Sequence, residues 1–224
     1  MKKYAIIVAG GWGTRMGSPV PKQFMNLNGK PVLWYTLNAF LDAYDDLEIV
    51  LVVPEDHLQT GEIILQSTTG PGRIILTPGG QNRFLSVKNG LQHVQHSSIV
   101  SVHDGVRCLV SKNLIHRCYA MALEQGNAVP AIRATDSIRF ETVMGNEVLN
   151  RDQVKIIQTP QTFFSDLIKA GYEQPFTEAF TDEASVVEKL GIKINLVEGE
   201  ETNIKITRPM DIIIAEKILE NRSR

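Results

Sequence analysis

The chain of 224 residues has little cysteine, no large excess of charge and no long apolar run, and each lack excludes a class of protein. Two cysteines, Cys108 and Cys118, cannot build a disulfide framework, so we expect a reducing compartment and a cytoplasmic protein. A net charge of −2 argues against a nucleic-acid partner, which favours a basic surface. The apolar run after Met1 stops at Gly10, which is too short for a membrane span or a signal peptide, so no membrane partner is expected.

Short β-branched apolar runs alternate with segments of helical period. The runs predict strands at 4–9, 48–53, 73–77, 99–103, 127–132 and 193–197. Two sets of apolar residues predict helix faces: Phe84, Val87, Leu91 and Val94, then Leu114, Cys118 and Met121. Ser111 and Gly126 are the expected ends of the second helix. This alternation predicts an α/β fold, a Rossmann-like, mostly parallel twisted sheet with helices on both faces. Its ligands should bind at the carboxyl ends of the strands.

Residues 133–156 break this alternation. Their pattern is polar and strand-like, and residues 144–147, Met-Gly-Asn-Glu, are typical of a turn. We therefore expect one domain over residues 1–224 with a protruding two-stranded β-arm. An isolated hairpin is marginal in water, so the arm needs a packing partner. A second subunit is the expected partner, which predicts a homodimer; the alternative is a hairpin folded back on its own domain.

A glycine-rich segment follows the first predicted strand. Glycines let successive backbone N–H groups approach an anion closely. The dinucleotide fingerprint fails because Met16 stands where its last glycine would be, which argues against a dehydrogenase, and the P-loop fails because residues 29–31 read Gly-Lys-Pro. This loop instead carries Arg15 and is followed by Lys22, two cations suited to a triphosphate. Taken alone, the segment is equally compatible with a flexible turn and solvated cations.

A resemblance to a known family rests on blocks that occur in order along nearly the whole chain. They are Ala-Gly-Gly-Trp-Gly-Thr-Arg-Met at 9–16, Pro-Lys-Gln at 21–23, Val-His-Asp-Gly-Val-Arg at 102–107, Gln-Thr-Pro-Gln at 158–161, Thr-Asp-Glu-Ala-Ser at 181–185 and Asn-Ile-Lys-Ile-Thr-Arg-Pro at 203–209. The first two resemble the sugar-phosphate nucleotidylyltransferases, and the next two resemble their cytidylyl type. The last two are similar to the 2-C-methyl-D-erythritol 4-phosphate cytidylyltransferase family.

The resemblance implies an enzyme that transfers CMP from CTP to 2-C-methyl-D-erythritol 4-phosphate and releases pyrophosphate, in the non-mevalonate isoprenoid pathway. Both reactants are anionic, so catalysis needs charge neutralisation and in-line positioning rather than a covalent nucleophile. The implied catalytic residues are Arg15, Lys22, Asp104 and Lys205. CTP would be bound by Ala9, Gly10, Gly11, Gly13, Gly80, Gln81, Ser86 and Gly105. The acceptor would be bound by Arg107, Ser137, Arg151, Thr159 and Thr181.

The resemblance also implies a cofactor and a shared site. Asp104 would hold Mg²⁺ together with the triphosphate. Arg151 matches a family arginine on the arm that reaches the active site of the partner subunit. Two positions depart from the family pattern: Gln81 stands where an acidic residue is frequent, and Cys108 stands where proline is usual, which puts the rigidity of that loop in doubt.

Two other functions remain open from the residues. A ribitol 5-phosphate cytidylyltransferase would share the fold and the CTP residues, and the blocks at 181–185 and 207–209 argue against it. A non-catalytic nucleotide-binding module would be free to lose its cations, whereas Arg15, Lys22 and Lys205 are all present.

Overall fold

The computed structural model describes residues 1–11, 17 and 20–222. Its strands in chain order are β1 (Lys3–Val8), β2 (Asn26–Leu27), β3 (Lys30–Pro31), β4 (Leu47–Val53), β5 (Ile74–Pro78), β6 (Ile99–Asp104), β7 (Asn127–Arg133), β8 (Ile138–Thr142), β9 (Gly145–Leu149), β10 (Lys155–Ile157), β11 (Gln161–Phe164) and β12 (Leu196–Glu198). Its α-helices are α1 (Val32–Leu41), α2 (Leu58–Gln66), α3 (Arg83–Leu91), α4 (Lys112–Gln125), α5 (Ser165–Tyr172), α6 (Glu183–Glu188) and α7 (Pro209–Arg222).

The main sheet has the order β10-β7-β11-β6-β1-β4-β5, with β12 also paired to β7. Strands β4, β5 and β6 continue from β1 in parallel pairs, and β12 is parallel to β7. Only β10 and β11 pair antiparallel with their neighbours in this sheet as described. The predicted mostly parallel α/β sheet is confirmed. The sequence did not predict β11, which lies between β6 and β7.

Helices cover both faces of the sheet because the central strands are apolar on both sides. Tyr4 and Ile6 of β1 pack with α3, α5 and α6. Ala5 and Ile7 point the other way and pack with α1, α2 and α4. All four side chains are at most 1% exposed. Fully burying an isoleucine side chain contributes about 1.5–3 kcal/mol. Burial on both faces therefore fixes the register of β1. The glycine-rich segment that begins at Ala9, at the end of this strand, is the first glycine loop.

Helix α4 begins and ends where the sequence predicts. The Ser111 hydroxyl accepts a hydrogen bond from the Leu114 N–H at 3.0 Å, and Gly126 closes the helix with a φ of +87°. Such a serine cap contributes about 1 kcal/mol. Strand ends shift slightly from the prediction: β5 is displaced by one residue, and the last strand, β12, starts at Leu196 rather than at 193.

A smaller apolar cluster lies under the loop that follows β6. Val106, Cys108 and Leu109 pack there with Ile206 and with Ala215 of α7. Burial raises the pKa of the Cys108 thiol to about 12, so this side chain stays a neutral packing group. Side-chain packing therefore restrains the loop at the position where the family has proline.

The arm is a hairpin of β8 and β9, paired antiparallel. It spans 138–149 and is shorter than the predicted 133–156. The reason is that Arg133 and Lys155 pair with each other in the main sheet, at the ends of β7 and β10. The base of the predicted arm is therefore part of the domain.

The hairpin presents large apolar side chains to solvent. Val143 and Met144 connect its strands, one residue before the predicted turn, and Met144 is 96% exposed. Phe140 and Val148 on the strands are also exposed. Among the helices of the described chain, none has the length and apolar content needed to cross a membrane.

Candidate active site

A cavity of about 430 Å³ lies at the carboxyl ends of the central strands. Loops leave the sheet here after β1, β5 and β6. Each loop starts with a backbone hydrogen bond to a neighbouring strand: Ala9 N–H to Val52 O at 2.8 Å, Gly79 N–H to Val53 O at 2.8 Å and Gly105 N–H to Val8 O at 2.9 Å. The sheet therefore fixes the positions of the three loops, as expected for a ligand site in a parallel α/β sheet.

Many of the predicted site residues line this cavity. They are Ala9, Gly10, Gly11, Lys22, Gly80, Gln81, Ser86, Asp104 and Lys205. Gly13 and Arg15, which were predicted to bind the triphosphate, lie outside the described residues.

The Pro-Lys-Gln block attaches to the first glycine loop through its glutamine. Lys22 and Gln23 lie in a 3₁₀ turn and are almost fully buried. The Gln23 side-chain amide donates to Ala9 O at 2.8 Å. This bond holds the turn against the loop and keeps Lys22 at the cavity wall, beside the exposed backbone of Gly11.

The loop after β5, residues 79–82, is the second glycine loop of the cavity, and it packs directly on α3. A Cβ added to Gly80 would lie 2.4 Å from Leu85 Cβ, so only glycine fits this position without a shift. The Gly80 N–H donates to the Ser86 hydroxyl oxygen at 3.0 Å, and that hydroxyl donates to Asn82 O at 2.8 Å. Asn82 also caps α3 by accepting from the Leu85 N–H. Ser86 therefore organises the loop as well as lining the cavity.

Asp104, at the end of β6, lies among three cationic side chains. Lys205 Nζ is 2.9 Å from one carboxylate oxygen, and Arg107 Nε is 3.5 Å from the same oxygen. Arg83 Nη2 is 3.5 Å from the other oxygen. Burial alone would raise the pKa of the Asp104 carboxyl, but the three cations hold it well below its usual range. The site therefore carries an ionised carboxylate on its floor.

A chain of hydrogen bonds fixes the backbone on both sides of Asp104. His103 Nε2 donates to Arg107 O at 3.1 Å, since a carbonyl can only accept. His103 Nδ1 therefore accepts from the Thr159 hydroxyl at 3.0 Å, and that oxygen accepts from the Asp104 N–H at 3.1 Å. Burial lowers the pKa of His103 to about 4, which keeps the imidazole neutral as this chain requires. His103 is therefore a fully buried residue with a hydrogen-bond partner for each ring nitrogen.

The Gln-Thr-Pro-Gln block and the loop that carries Lys205 are joined by amide side chains. The Asn203 side chain donates to Thr159 O at 2.9 Å, and Asn203 O accepts from Arg107 Nη1 at 2.8 Å. The Gln158 side chain donates to Glu200 O at 2.8 Å. These bonds bring residues 200–205 against the loop after β6, so that Lys205 reaches Asp104.

Arg83 and Glu183 are not among the predicted site residues. In the structure Arg83 lines the cavity and forms two hydrogen bonds with Glu183, at 2.5 and 3.0 Å. Glu183 is fully buried. A signal existed, because Glu183 shares a face of α6 with Val186 and Val187, and a carboxylate on a buried face requires a cation.

The predicted acceptor residues are placed differently from the CTP residues. Thr159 is buried, and its hydroxyl oxygen accepts from the Asp104 N–H. Arg107 Nε lies 3.5 Å from the Asp104 carboxylate. Thr181 is exposed just before α6. Ser137 and Arg151 are exposed at the base of the arm, where Arg151 donates to Thr135 O at 2.9 Å. In the described chain, none of these five side chains lines the cavity.

The cavity offers few donors to a metal ion. Within residues 1–11, 17 and 20–222, no group of three or more His, Cys, Asp or Glu side chains is arranged to hold one. Asp104 is the acidic side chain among the described lining residues. A divalent ion at this site would therefore need most of its oxygen ligands from the substrate phosphates, which is the usual situation for Mg²⁺.

Comparisons with known proteins agree with this geometry. The sequence profile of the family described as "IspD: 2-C-methyl-D-erythritol 4-phosphate cytidylyltransferase" matches residues 4–221. A protein of that name from Bacteroides fragilis is 43% identical over 219 residues, which cover 98% of this chain and 100% of the relative. A similar relative from Porphyromonas gingivalis is 42% identical, over 97% of this chain and 98% of its own.

Solved structures give the same result. The 4-diphosphocytidyl-2C-methyl-D-erythritol synthase of Anaerococcus prevotii superposes with a TM-score of 0.84 at 32% identity, over 98% of this chain and 96% of that one. The corresponding cytidylyltransferase of Thermus thermophilus gives 0.77 at 29% identity, over 98% and 100%. Because sequence profile, relatives and structures all match over nearly the full chain, the protein belongs to the 2-C-methyl-D-erythritol 4-phosphate cytidylyltransferase family.

Proposed function

We propose that the chain transfers CMP from CTP to 2-C-methyl-D-erythritol 4-phosphate, forming 4-diphosphocytidyl-2-C-methyl-D-erythritol and pyrophosphate in the non-mevalonate isoprenoid pathway. Membership of the family supports this reaction. The structural observation that carries it is the cavity in which two glycine loops face Lys22, Lys205 and the ionised Asp104.

CTP binds between the two glycine loops in this proposal. Backbone N–H groups of the first loop, at Gly10, Gly11 and Gly13, receive the triphosphate, with Ala9 at the start of the loop. The second loop, with Gly80, Gln81 and Ser86, receives cytosine. The close packing of Gly80 on α3 supports this role, because a rigid backbone presents a fixed pattern of donors and acceptors to a base. Gly105 is not among the described lining residues, but a Cβ there would lie 3.1 Å from both Ala9 Cβ and Leu33 Cδ1, so glycine lets the loop after β6 pack closely on Ala9.

The chemical step is an in-line displacement at phosphorus. A phosphate oxygen of the acceptor forms a bond to the α-phosphorus of CTP, and the bond from that phosphorus to the bridging oxygen breaks, so that pyrophosphate leaves. Arg15 and Lys22 neutralise the negative charge that builds on the α-phosphate, and Lys205 holds the acceptor phosphate. Within the described residues, neither buried cysteine suits nucleophilic chemistry, since burial raises the pKa of each thiol to about 12.

The residues fit Mg²⁺ as an ion that arrives with CTP. Asp104 supplies one carboxylate, and the triphosphate supplies further oxygens. When bound, the ion neutralises phosphate charge. Arg107 and Thr159 keep Asp104 in place for this task, through the contact at 3.5 Å and the hydrogen bond to its backbone.

The acceptor site is completed by a second copy of the chain in this proposal. Thr181 contacts the acceptor from the same subunit, while Ser137 and Arg151 at the base of the arm serve the active site of the partner subunit. The exposed apolar side chains of the hairpin, including Phe140 and Val148, support a homodimer because they have little cover within the described chain. We assign residues 1–224 to one such domain and place the reaction in the cytoplasm.

The test is pyrophosphate release from CTP and Mg²⁺, measured with 2-C-methyl-D-erythritol 4-phosphate, with ribitol 5-phosphate and without acceptor. Release that depends on the methylerythritol phosphate is the expected result. Release that depends only on ribitol 5-phosphate would change the acceptor. Tight CTP binding with no release for either acceptor would identify a non-catalytic nucleotide-binding module.

A further inference from the structure

A buried ion pair connects the floor of the cavity to a helix on one face of the sheet. Arg83 opens α3, and Glu183 opens α6, 100 positions later in the sequence. The guanidinium donates to both carboxylate oxygens, Nη1 at 2.5 Å and Nη2 at 3.0 Å. Two parallel bonds fix the plane of the guanidinium as well as its position.

A second donor also holds the Glu183 carboxylate. The Tyr172 hydroxyl donates to Glu183 Oε1 at 3.1 Å. The helix that carries Glu183 is itself anchored, because Asp182 and Ser185 form a capping box and the Ala184 N–H donates to the Gln161 side chain at 2.8 Å. These contacts restrict the position of the Glu183 carboxylate, and its two hydrogen bonds with Arg83 restrict the position of the guanidinium.

The Arg83 nitrogen that bonds Glu183 Oε2, Nη2, also contacts the reaction site. Arg83 lines the cavity, and its Nη2 lies 3.5 Å from Asp104 Oδ1. The other oxygen of Asp104 is contacted by Lys205 at 2.9 Å. Lys205 and Arg107 thus contact one oxygen of Asp104, and Arg83, which is bonded to the fully buried Glu183, contacts the other. Arg83 therefore links the fully buried Glu183 to Asp104, the one acidic side chain among the described residues that line the cavity.

We propose that Glu183 is a positioning residue: it fixes the Arg83 guanidinium at the cavity wall, and Arg83 in turn fixes Asp104 Oδ1 for the transfer reaction. The inference rests on the proposed function of the same cavity. Glu183 touches neither substrate. Its contribution should therefore be seen in the rate of the chemical step more than in the binding of CTP.

The first test compares Glu183→Gln with a control, Glu48→Gln. Glu48 on β4 is a partly exposed carboxylate with a cationic neighbour, Lys2 at 3.0 Å, and it is not among the described residues that line the cavity. Glu183→Gln should lower kcat by about 10- to 100-fold, the usual loss for a supporting partner of a site residue, while KM for CTP changes by less than about threefold. Glu183→Asp, which keeps the charge, should retain a higher kcat than Glu183→Gln. Glu48→Gln should leave both constants unchanged.

The second test uses Arg83→Lys, which keeps a positive charge but cannot form the paired bonds. If Arg83 and Glu183 act as one unit, kcat of the double variant with Glu183→Gln should be no lower than that of the weaker single variant. Losses that multiply would mean independent effects and would overturn the proposal. Should Glu183→Gln fail to fold in a thermal unfolding measurement, an unchanged kcat in folded Arg83→Lys would overturn it as well.

The wild-type reaction separates this proposal from the function on which it rests. A wild-type enzyme without pyrophosphate release would refute the function. A wild-type enzyme with normal turnover, together with Glu183→Gln of unchanged kcat, would refute only the positioning role.

Discussion

Asp104, on the floor of the cavity, and the arm differ in how far their side chains find contacts within a single chain. Asp104 is held by three cations and by a backbone hydrogen bond from its own N–H, all within one subunit. Val148 on the arm is 71% exposed, and its hairpin presents further apolar side chains to solvent. Under the proposed function, the difference predicts that one chain is enough to bind the nucleotide, whereas binding of the acceptor requires a second copy.

The largest expected effect lies on the nucleotide side. Lys22→Ala should reduce kcat by about 10²–10³-fold, by analogy with the loss of one donor that stabilises transition-state charge. The fold should survive, because Lys22 lies in a short turn that Gln23 attaches to Ala9 O. Steady-state pyrophosphate release measures the effect.

A control variant for this prediction is Lys30→Ala. Lys30 is exposed, and its ammonium lies over the Trp34 ring rather than in the cavity. Turnover of Lys30→Ala should match wild type. Near-normal turnover in Lys22→Ala would remove Lys22 from the catalytic set.

The rigidity of the floor can be probed by pH through His103. Its imidazole is neutral in the folded protein, and burial lowers its pKa to about 4 from an unfolded value near 6.5. A lowered pKa of this base means that stability is fully present above the unfolded value and is lost as pH falls from about 6.5 towards 4. The loss can reach about 3 kcal/mol, from roughly 1.4 kcal/mol for each unit of difference.

Urea unfolding at several pH values measures this loss. His103→Gln should flatten the dependence between pH 6.5 and 4, since the titrating group is gone. His93→Gln alters an exposed histidine and should keep the wild-type slope. An equally steep slope in His103→Gln would show that another group on the floor is responsible.

Elements with a local sequence pattern were predictable, whereas elements that depend on distant partners were not. The strands of the main sheet are apolar and β-branched, and α4 carries its own caps at Ser111 and Gly126, so local patterns predicted them. Strand β11 was missed because Gln161 and Thr162 are polar. Their burial depends on distant partners: Thr162 shares a hydrogen bond of 2.6 Å with Ser101, and Gln161 donates to Asp182 at 2.9 Å.

The site residues also divide into those that a local sequence pattern predicts and those that depend on distant partners. The first glycine loop, Lys22 and Asp104 belong to short blocks that family resemblance makes visible, and the structure places the described residues among them around one cavity. Arg83 lies outside these blocks, 100 positions before Glu183. The pattern of α6 indicates that Glu183 needs a cation, but no local pattern identifies Arg83 as that cation. Ser137 and Arg151 flank the arm, and within one chain they are exposed.

Removing the arm tests whether assembly completes the acceptor site. Replacement of residues 138–149 by a short turn should give a monomer, measured by light scattering, because the exposed apolar surface of the hairpin is lost. KM for the methylerythritol phosphate should rise by about tenfold or more, since one hydrogen bond to a charged group is worth about 1.5–3 kcal/mol. Binding of CTP should stay close to wild type. A monomer with unchanged acceptor KM would contradict the shared site.

The smallest expected effect tests the fit of the cytosine loop. Gly80→Ala places a methyl group where a Cβ would lie 2.4 Å from Leu85 Cβ, so the loop must move away from α3. Such overpacking costs about 1–3 kcal/mol, part of which α3 absorbs, and KM for CTP should rise by about three- to tenfold. Gly72→Ala is the matched control, because a Cβ there meets nothing within 4 Å. If both variants bind CTP equally well, the second loop does not need its close contact with α3, and the base is recognised elsewhere in the cavity.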